Sequence, residues 1–350
     1  MPTAIDRPAW QDALIARWYS AHPVWLLIPF AWLFRWVVAV RTLGFRSGWF
    51  ARTCLPVPVL VVGNLVVGGA GKTPAVMAVV QALRARGLNP GVLSRGYGGS
   101  ATAPRLVTAA DDPAVCGDEA VLLADALAVP LAIGARRVAA GQLLLQAHPA
   151  VDCLVCDDGL QHLALDRTVE LVVIDRARGL GNGWCLPAGP LREPVSRLEQ
   201  VDALLLHGRP SDPHTRVTLP AGIPQGELSL VMLPPRRLTD NQQAGDWAAW
   251  QGRTVHAVAG IGHPERFFSA LRALGLIVHA HSFPDHHAFC LEDLRFAEAW
   301  PILLTSKDAV KCRGFQLESC WSVPLQAQLP DSLADSLAQL MERPDGCQTA

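Results

Sequence analysis

The sequence predicts an α/β fold: a parallel sheet flanked by helices, a smaller C-terminal α/β domain, and an N-terminal membrane-associated helix. Three observations carry that expectation. Short apolar, β-branched runs alternate with helix-length segments, the rhythm of a parallel sheet with covering helices. The rhythm breaks over residues 208–235, where six prolines fall in 28 residues, and resumes after Gly252. Residues 1–53 differ in composition from everything that follows. These breaks divide the chain into an N-terminal segment (1–53), a core (54–207), a Pro-rich extended linker (208–253), a smaller domain (254–330) and a tail (331–350).

Six of the 11 tryptophans (Trp10, Trp18, Trp25, Trp32, Trp36, Trp49) lie in the first segment, with six arginines (Arg7, Arg17, Arg35, Arg41, Arg46, Arg52) against two acids, Asp6 and Asp12. Indole and guanidinium groups favour the water–lipid boundary. The apolar run 24–40 spans 17 residues and contains Pro29 and Arg35. As a helix it would measure about 25 Å, short of a roughly 30 Å hydrocarbon core. A helix lying in or dipping into one leaflet is expected, beside a true span or an amphipathic helix capping the soluble core. A cleaved signal peptide is disfavoured, because Pro, Arg and Trp interrupt the apolar core and no small-residue cleavage site is evident.

Composition excludes some classes. Lys+Arg 30 against Asp+Glu 31 leaves no field to attract nucleic acid, and there is no basic stripe with interleaved aromatics, so no nucleic-acid partner is expected. Nine cysteines without a framework fit a reducing compartment. Cys153 and Cys156 form a C-x-x-C inside an apolar run, where buried inert thiols are the favoured reading.

Residues 57–62 read as a buried strand and 75–86 as a helix. Between them lies Gly63-Asn64-Leu65-Val66-Val67-Gly68-Gly69-Ala70-Gly71-Lys72-Thr73-Pro74, the strand, glycine-rich loop, helix order of a P-loop. The core is therefore expected to be P-loop NTPase-like. Val66, Val67, Gly68, Gly69, Ala70, Gly71, Lys72 and Thr73 would hold the nucleotide. Backbone amides would curl around phosphate, Lys72 would reach the β- and γ-phosphates, and Thr73 would hold Mg²⁺. Val66 stands where the general pattern has glycine.

A second strand, 91–94, ends at Arg95-Gly96-Tyr97, on the ligand-facing edge of a parallel sheet. Gly117-Asp118-Glu119 opens a helix from 120 to 128, where acids also suit the macrodipole. Strand 130–133 is followed by Arg136 and Arg137 at a helix start; because cations oppose the dipole there, an anionic ligand is a candidate. Strand 151–156 ends at Asp157-Asp158-Gly159-Leu160-Gln161-His162, the placing of a Walker B carboxylate that holds Mg²⁺. Strands 170–175 and 203–206 flank a stiff loop offering Arg192. His162 reads as a substrate contact or a turn histidine.

Beyond 207, extended pieces near 216–219 and 227–233 are expected to pair as a ribbon. The α/β rhythm then gives strands 255–259, 276–282 and 302–305 and helices 264–274, 291–299 and from Asp308. His279 and His281 alternate onto one strand face near Phe283-Pro284-Asp285-His286-His287. A zinc reading is disfavoured, since no cysteine falls at matching spacing and Asp-His pairs also handle protons.

Together these motifs, with residues 187–193 and Thr305-Ser306-Lys307-Asp308, resemble the tetraacyldisaccharide 4'-kinase family, the lipid A 4'-kinases of Gram-negative bacteria. The Val66 departure is shared by that family's form of the loop. The resemblance implies an ATP- and Mg²⁺-dependent enzyme at the cytoplasmic face of the inner membrane, acting at the membrane surface on a lipid substrate, the 4'-hydroxyl of an acylated glucosamine disaccharide 1-phosphate. It implies Asp118 as catalytic base assisted by His286, with Thr73, Glu119, Asp157 and Asp158 near the metal. Arg95, Tyr97, Arg137, His162 and Arg192 are candidate substrate contacts. Thr305-Ser306-Lys307-Asp308 departs at Ser306, where an acid is expected, and is assigned no catalytic role. The competing reading is a membrane-tethered P-loop nucleotide switch, for which no Asn-Lys-x-Asp guanine-reading motif is present.

Overall fold

The computed structural model describes residues 9–20, 22–208, 219–240 and 245–342. Helix α1 (Ala9–Trp18) and a 3₁₀ turn (Trp25–Leu27) precede α2 (Ile28–Arg46). Pro29 falls in the first turn of α2, where its missing N–H costs nothing, so the helix is not broken at Pro29 and continues past the apolar run to Arg46. It is thus longer than the run suggested: Trp25–Arg46 is long and apolar enough to cross a membrane by length and composition.

The core follows as β1 (Val59–Gly63), α3 (Lys72–Ala85), β2 (Pro90–Ser94), β3 (Arg105–Leu106), α4 (Pro113–Cys116), α5 (Asp118–Leu127), β4 (Leu131–Ile133), α6 (Arg137–Ala147), β5 (Cys153–Asp157), β6 (Val169–Asp175) and β7 (Ala203–His207). Then come β8 (Gln225–Met232), β9 (Arg236–Arg237), β10 (Thr254–Ala259), α7 (Pro264–Ala273), β11 (Ile277–Ser282), β12 (Ile302–Thr305), α8 (Ser306–Cys312), β13 (Cys320–Val323), β14 (Leu325–Gln328) and α9 (Asp331–Met341).

Among the described residues the first sheet runs β14-β8-β7-β6-β1-β5-β2-β4-β3, and the second β11-β10-β12-β13-β9. The first is parallel except at its two edges, where β14 and β3 run antiparallel to their neighbours. Its central strands β1, β2, β5 and β6 are buried throughout, as continuous apolar runs require when both faces are covered. Strand β1 lies between β5 and β6, and its register sets Val62 opposite Asp157. The glycine-rich loop and the paired acids therefore leave adjacent strands at the same sheet edge, where ligands bind in open α/β sheets.

The second sheet is an insertion. Strand β8 pairs in parallel with β7 and antiparallel with β14, Met232 facing Leu325, so everything between them forms the smaller unit. This differs from the expected linker and tail: part of 208–253 is a strand of the first sheet, β14 within 254–330 returns to it, and α9 packs Leu333, Leu337 and Met341 beneath it. Of the expected ribbon, Gln225–Met232 takes partners from the main sheet, while residues 216–218 of the other half lie outside the described residues. The expected helix 291–299 shrinks to one 3₁₀ turn (Leu291–Leu294), as Phe296 and Trp300 are drawn onto His256 and Phe296 also stacks on His281.

Candidate active site

The loop from β1 to α3 is braced before any ligand enters. The Asn64 side chain, fully buried, donates to the Val66 carbonyl at 2.8 Å. Val67 N–H donates to Pro190 O at 2.9 Å and Arg192 N–H to Leu65 O at 2.7 Å, tying the loop to residues 190–192. Gly71 caps α3 with φ 79°, a left-handed conformation that favours glycine, and a Cβ there would sit 3.1 Å from the His207 ring. Lys72 opens α3 with its ammonium 3.2 Å from Asn64 Oδ1 and 3.5 Å from Asp158 Oδ1, and half-buried Thr73 follows it. Val66 to Thr73 thus form a bent backbone segment at a helix N-terminus, with a cation beside it.

At the end of β5, Asp157 is 3% exposed and its Oδ1 has no hydrogen-bond partner. Burial, then the negative charges of Glu119 and Asp158, push its carboxyl up to about 7 despite Lys72 and Arg137. Asp158 has φ 49°, strained for a non-glycine residue, and pairs with Arg192 Nη1 at 3.3 Å. Arg192 Nη1 also reaches Gln161 Oε1 at 3.2 Å.

Across the junction, Asp118 begins α5 after Gly117, whose φ of 87° and lack of Cβ let the chain pass the Tyr97 carbonyl. Both Asp118 oxygens lie 3.1 Å from His286 Nδ1, and Oδ1 also accepts from Glu119 N–H at 2.9 Å. His286 follows β11 with φ 61°, a second strained non-glycine position. Burial would raise the Asp118 carboxyl, but the His286 hydrogen bond and the ammoniums of Lys307 and Lys311 outweigh it and hold it below the usual range. The same hydrogen bond raises His286 against burial and Lys307.

Lys307 was not expected here. Its Nζ lies 3.0 Å from Glu119 Oε1, 3.1 Å from Asp285 Oδ1 and 3.4 Å from His286 Nε2. Burial opposes its charge, but Glu119, Asp118 and Asp285 more than offset that and raise it. Its neighbour Ser306, the departure from an expected acid, donates to Val323 O.

The remaining candidates separate. Tyr97 is 60% exposed with its ring 5.3 Å from His286, and Arg95 is exposed on the same loop. His162 is held neutral, pushed down to about 4 by burial and then by Arg137, Arg167, Arg41 and Arg95, so it marks a cationic corner. Arg137 is a correction: it is buried, donating to Gly134 O at 2.6 Å and to Asp157 O at 3.5 Å, so it props the end of β5 instead of facing substrate. His279 and His281 belong to a ring cluster with His256, whose Nδ1 is 3.1 Å from His281 Nε2. Among the described residues no three His, Cys, Asp or Glu side chains are gathered as a metal cage. Cys153 and Cys156 are buried with thiols pushed up, which makes them inert.

A phosphate-cradling loop, paired acids and an Asp–His contact at the junction of two α/β units define a nucleotide-dependent phosphotransferase. The family model for tetraacyldisaccharide-1-P 4'-kinase (LpxK) matches residues 23–342, and the chain belongs to that family. A tetraacyldisaccharide 4'-kinase of Methylobacillus flagellatus is 46% identical over 333 residues, covering 93% of this chain and 96% of that one. One from Azoarcus sp. is 47% identical over 326 residues, covering 93% and 94%. A solved LpxK from Aquifex aeolicus in complex with ATP superposes with a TM-score of 0.77 at 28% identity, covering 90% of this chain and 98% of that one.

Proposed function

We propose that this kinase uses ATP and Mg²⁺ to phosphorylate the 4'-hydroxyl of a tetraacyl glucosamine disaccharide 1-phosphate, at the cytoplasmic face of the bacterial inner membrane. The observation that carries the reading is the Asp118–His286 contact, joined to the P-loop by a continuous run of charges: Lys72 to Asp158, the acids around Asp157, then Glu119 to Lys307 and Asp285.

The residues fit Mg²⁺. Asp157 carries an orphaned buried oxygen and is crowded by two further acids, an arrangement that a divalent cation relieves. Thr73, Asp157, Asp158 and Glu119 would hold it, and its chemistry is to neutralise charge on the transferring phosphoryl group. Val66 to Gly71 present amides and the α3 N-terminus to the phosphates, and Lys72 moves from Asp158 and Asn64 onto them. Asp118, ionised because its carboxyl is held low, accepts the sugar hydroxyl's proton as the new O–P bond forms and the bond to ADP breaks. A weakly basic carboxylate suits a loose transition state, in which the proton leaves late. Arg95, Tyr97, His162 and Arg192 line the acceptor side.

The membrane reading sharpens with α2. Trp32 meets Trp184, Arg41 donates to Gln161 O at 2.9 Å, and Arg46 donates to Gln200. A helix tied to the soluble body at three points spread along it fits one lying on the membrane surface better than a perpendicular span, which would carry those ties and the body into lipid. Trp25 and Leu26 of the preceding turn and Phe30 and Trp36 of α2 are exposed, which suits insertion into one leaflet.

Incubating the purified protein with γ-labelled ATP, Mg²⁺ and the acylated disaccharide is expected to place label on the 4' position. Lys72→Ala is expected to lower kcat/KM by about 10³-fold or more, the scale of a lost phosphate-clamping cation. Label found only as free phosphate would favour the nucleotide switch, and unchanged turnover in Lys72→Ala would reject the loop as the site.

A further inference from the structure

Lys307 is the second residue of α8, a place where a cation opposes the helix macrodipole, so helix formation does not explain it. Its helix start is rigid. Asp308, fully buried, accepts from Gly260 N–H at 2.8 Å and Thr305 Oγ1 at 2.6 Å and pairs with Lys311 at 2.8 Å. From that anchor the ammonium meets three acceptors at 3.0, 3.1 and 3.4 Å: Glu119, Asp285 and His286 Nε2. An ammonium has three N–H donors and no acceptor, so in the neutral ring the imidazole nitrogen facing it is the one placed to accept.

We propose that Lys307 is a positioning residue for phosphoryl transfer: by donating to Nε2 of His286 it keeps the ring proton on Nδ1, aimed at Asp118. This rests on the reading of Asp118 as proton acceptor and deepens it. With the proton on Nδ1, both carboxylate oxygens at 3.1 Å face a donor, and Asp118 keeps a lone pair for the substrate proton. In the other tautomer a bare Nδ1 lone pair would face the carboxylate, and Nε2–H would face an ammonium. The pair would open. The other groups around the ring are Asp285, 3.9 Å from Nε2, and the Tyr97 ring; Lys311, 3.7 Å from Asp118, steadies the carboxylate.

The test reads the tautomer directly. In ligand-free protein with ¹⁵N-labelled histidine at alkaline pH, where the ring is neutral, long-range ¹H–¹⁵N correlations assigned by their loss in His286→Gln report which nitrogen carries the proton. Wild type is expected to show protonated Nδ1 and bare Nε2. Lys307→Met is expected to populate Nε2–H and to lower kcat by about 10²-fold with KM for ATP within about twofold, the cost of a misoriented group. Lys307→Arg, also a donor without acceptor capacity, is expected to keep the proton on Nδ1. Wild-type protein protonated on Nε2, or an unchanged tautomer in folded Lys307→Met, would overturn the proposal; should Lys307→Met fail to fold by circular dichroism, the wild-type and arginine spectra decide it. Because the spectra need no substrate, they are independent of the role of Asp118, which a retained kcat in Asp118→Ala would reject.

Discussion

Asp157 is buried within reach of the charges of Glu119 and Asp158, and the consequence is measurable without substrate. A carboxyl raised to about 7 in the folded protein binds a proton that the unfolded chain, near the ordinary aspartate value, has released. The contribution of this group to the stability of the ligand-free protein should therefore fall as pH rises from about 4 to about 7, by on the order of 4 kcal/mol. Urea titrations across that range are expected to give wild-type and Asp157→Asn stability curves that diverge by this slope, the opposing contribution of His162, pushed down to about 4, cancelling in the difference; parallel curves would remove the crowding at Asp157. The acids at this strand end were legible in the sequence, since two carboxylates after an apolar run exceed what a strand terminus needs. Lys307 and Asn64 were not. Each gains its meaning from partners far along the chain or from a turn geometry that residue spacing does not encode.

Among the elements, α2 and α9 carry the two sharpest consequences. Trp25, Leu26 and Trp36 of the N-terminal apolar segment are 70%, 85% and 62% exposed, and transfer of such side chains from water is worth about 1.5–3 kcal/mol each. Replacing all three by serine should weaken binding to anionic lipid vesicles by at least about 10²-fold with KM for ATP unchanged; equal binding would place the membrane contact elsewhere. Helix α9 is buried through Leu333, Leu337 and Met341, an i, i+4, i+8 stripe. Leu337→Ala should cost about 2–5 kcal/mol in urea unfolding, as a core truncation does, whereas a loose tail would cost almost nothing. That stripe is readable by its period. What the sequence did not reveal is its destination, because the second sheet interrupts the first between β8 and β14 and separates neighbours in space by more than 90 residues along the chain.

On the scale of the whole molecule, two sheets are held against each other by charged contacts and by the apolar packing of α8 on α5. Arg266 of α7 pairs with buried Asp175 at 2.8 Å, α5 packs against α8, and Lys307 reaches Glu119. The proposed chemistry sits on that junction, so the same contacts that orient the units assemble the site, and His286, with φ 61°, is held there between Asp118 of one unit and Lys307 of the other. The parallel core was foreseeable from apolar runs alternating with helices. The junction was not, since nothing local to Asp118 or His286 says that they meet across 168 residues.

In the proposed mechanism Asp118 and His286 act as one unit on the hydroxyl that accepts the phosphoryl group. A double-mutant cycle on kcat, with Asp118→Ala, His286→Ala and the double variant assayed with the lipid acceptor, tests it most directly. The double variant is expected to be no slower than Asp118→Ala alone, within about threefold. Losses that multiply, each variant contributing its full factor in the presence of the other, would contradict it.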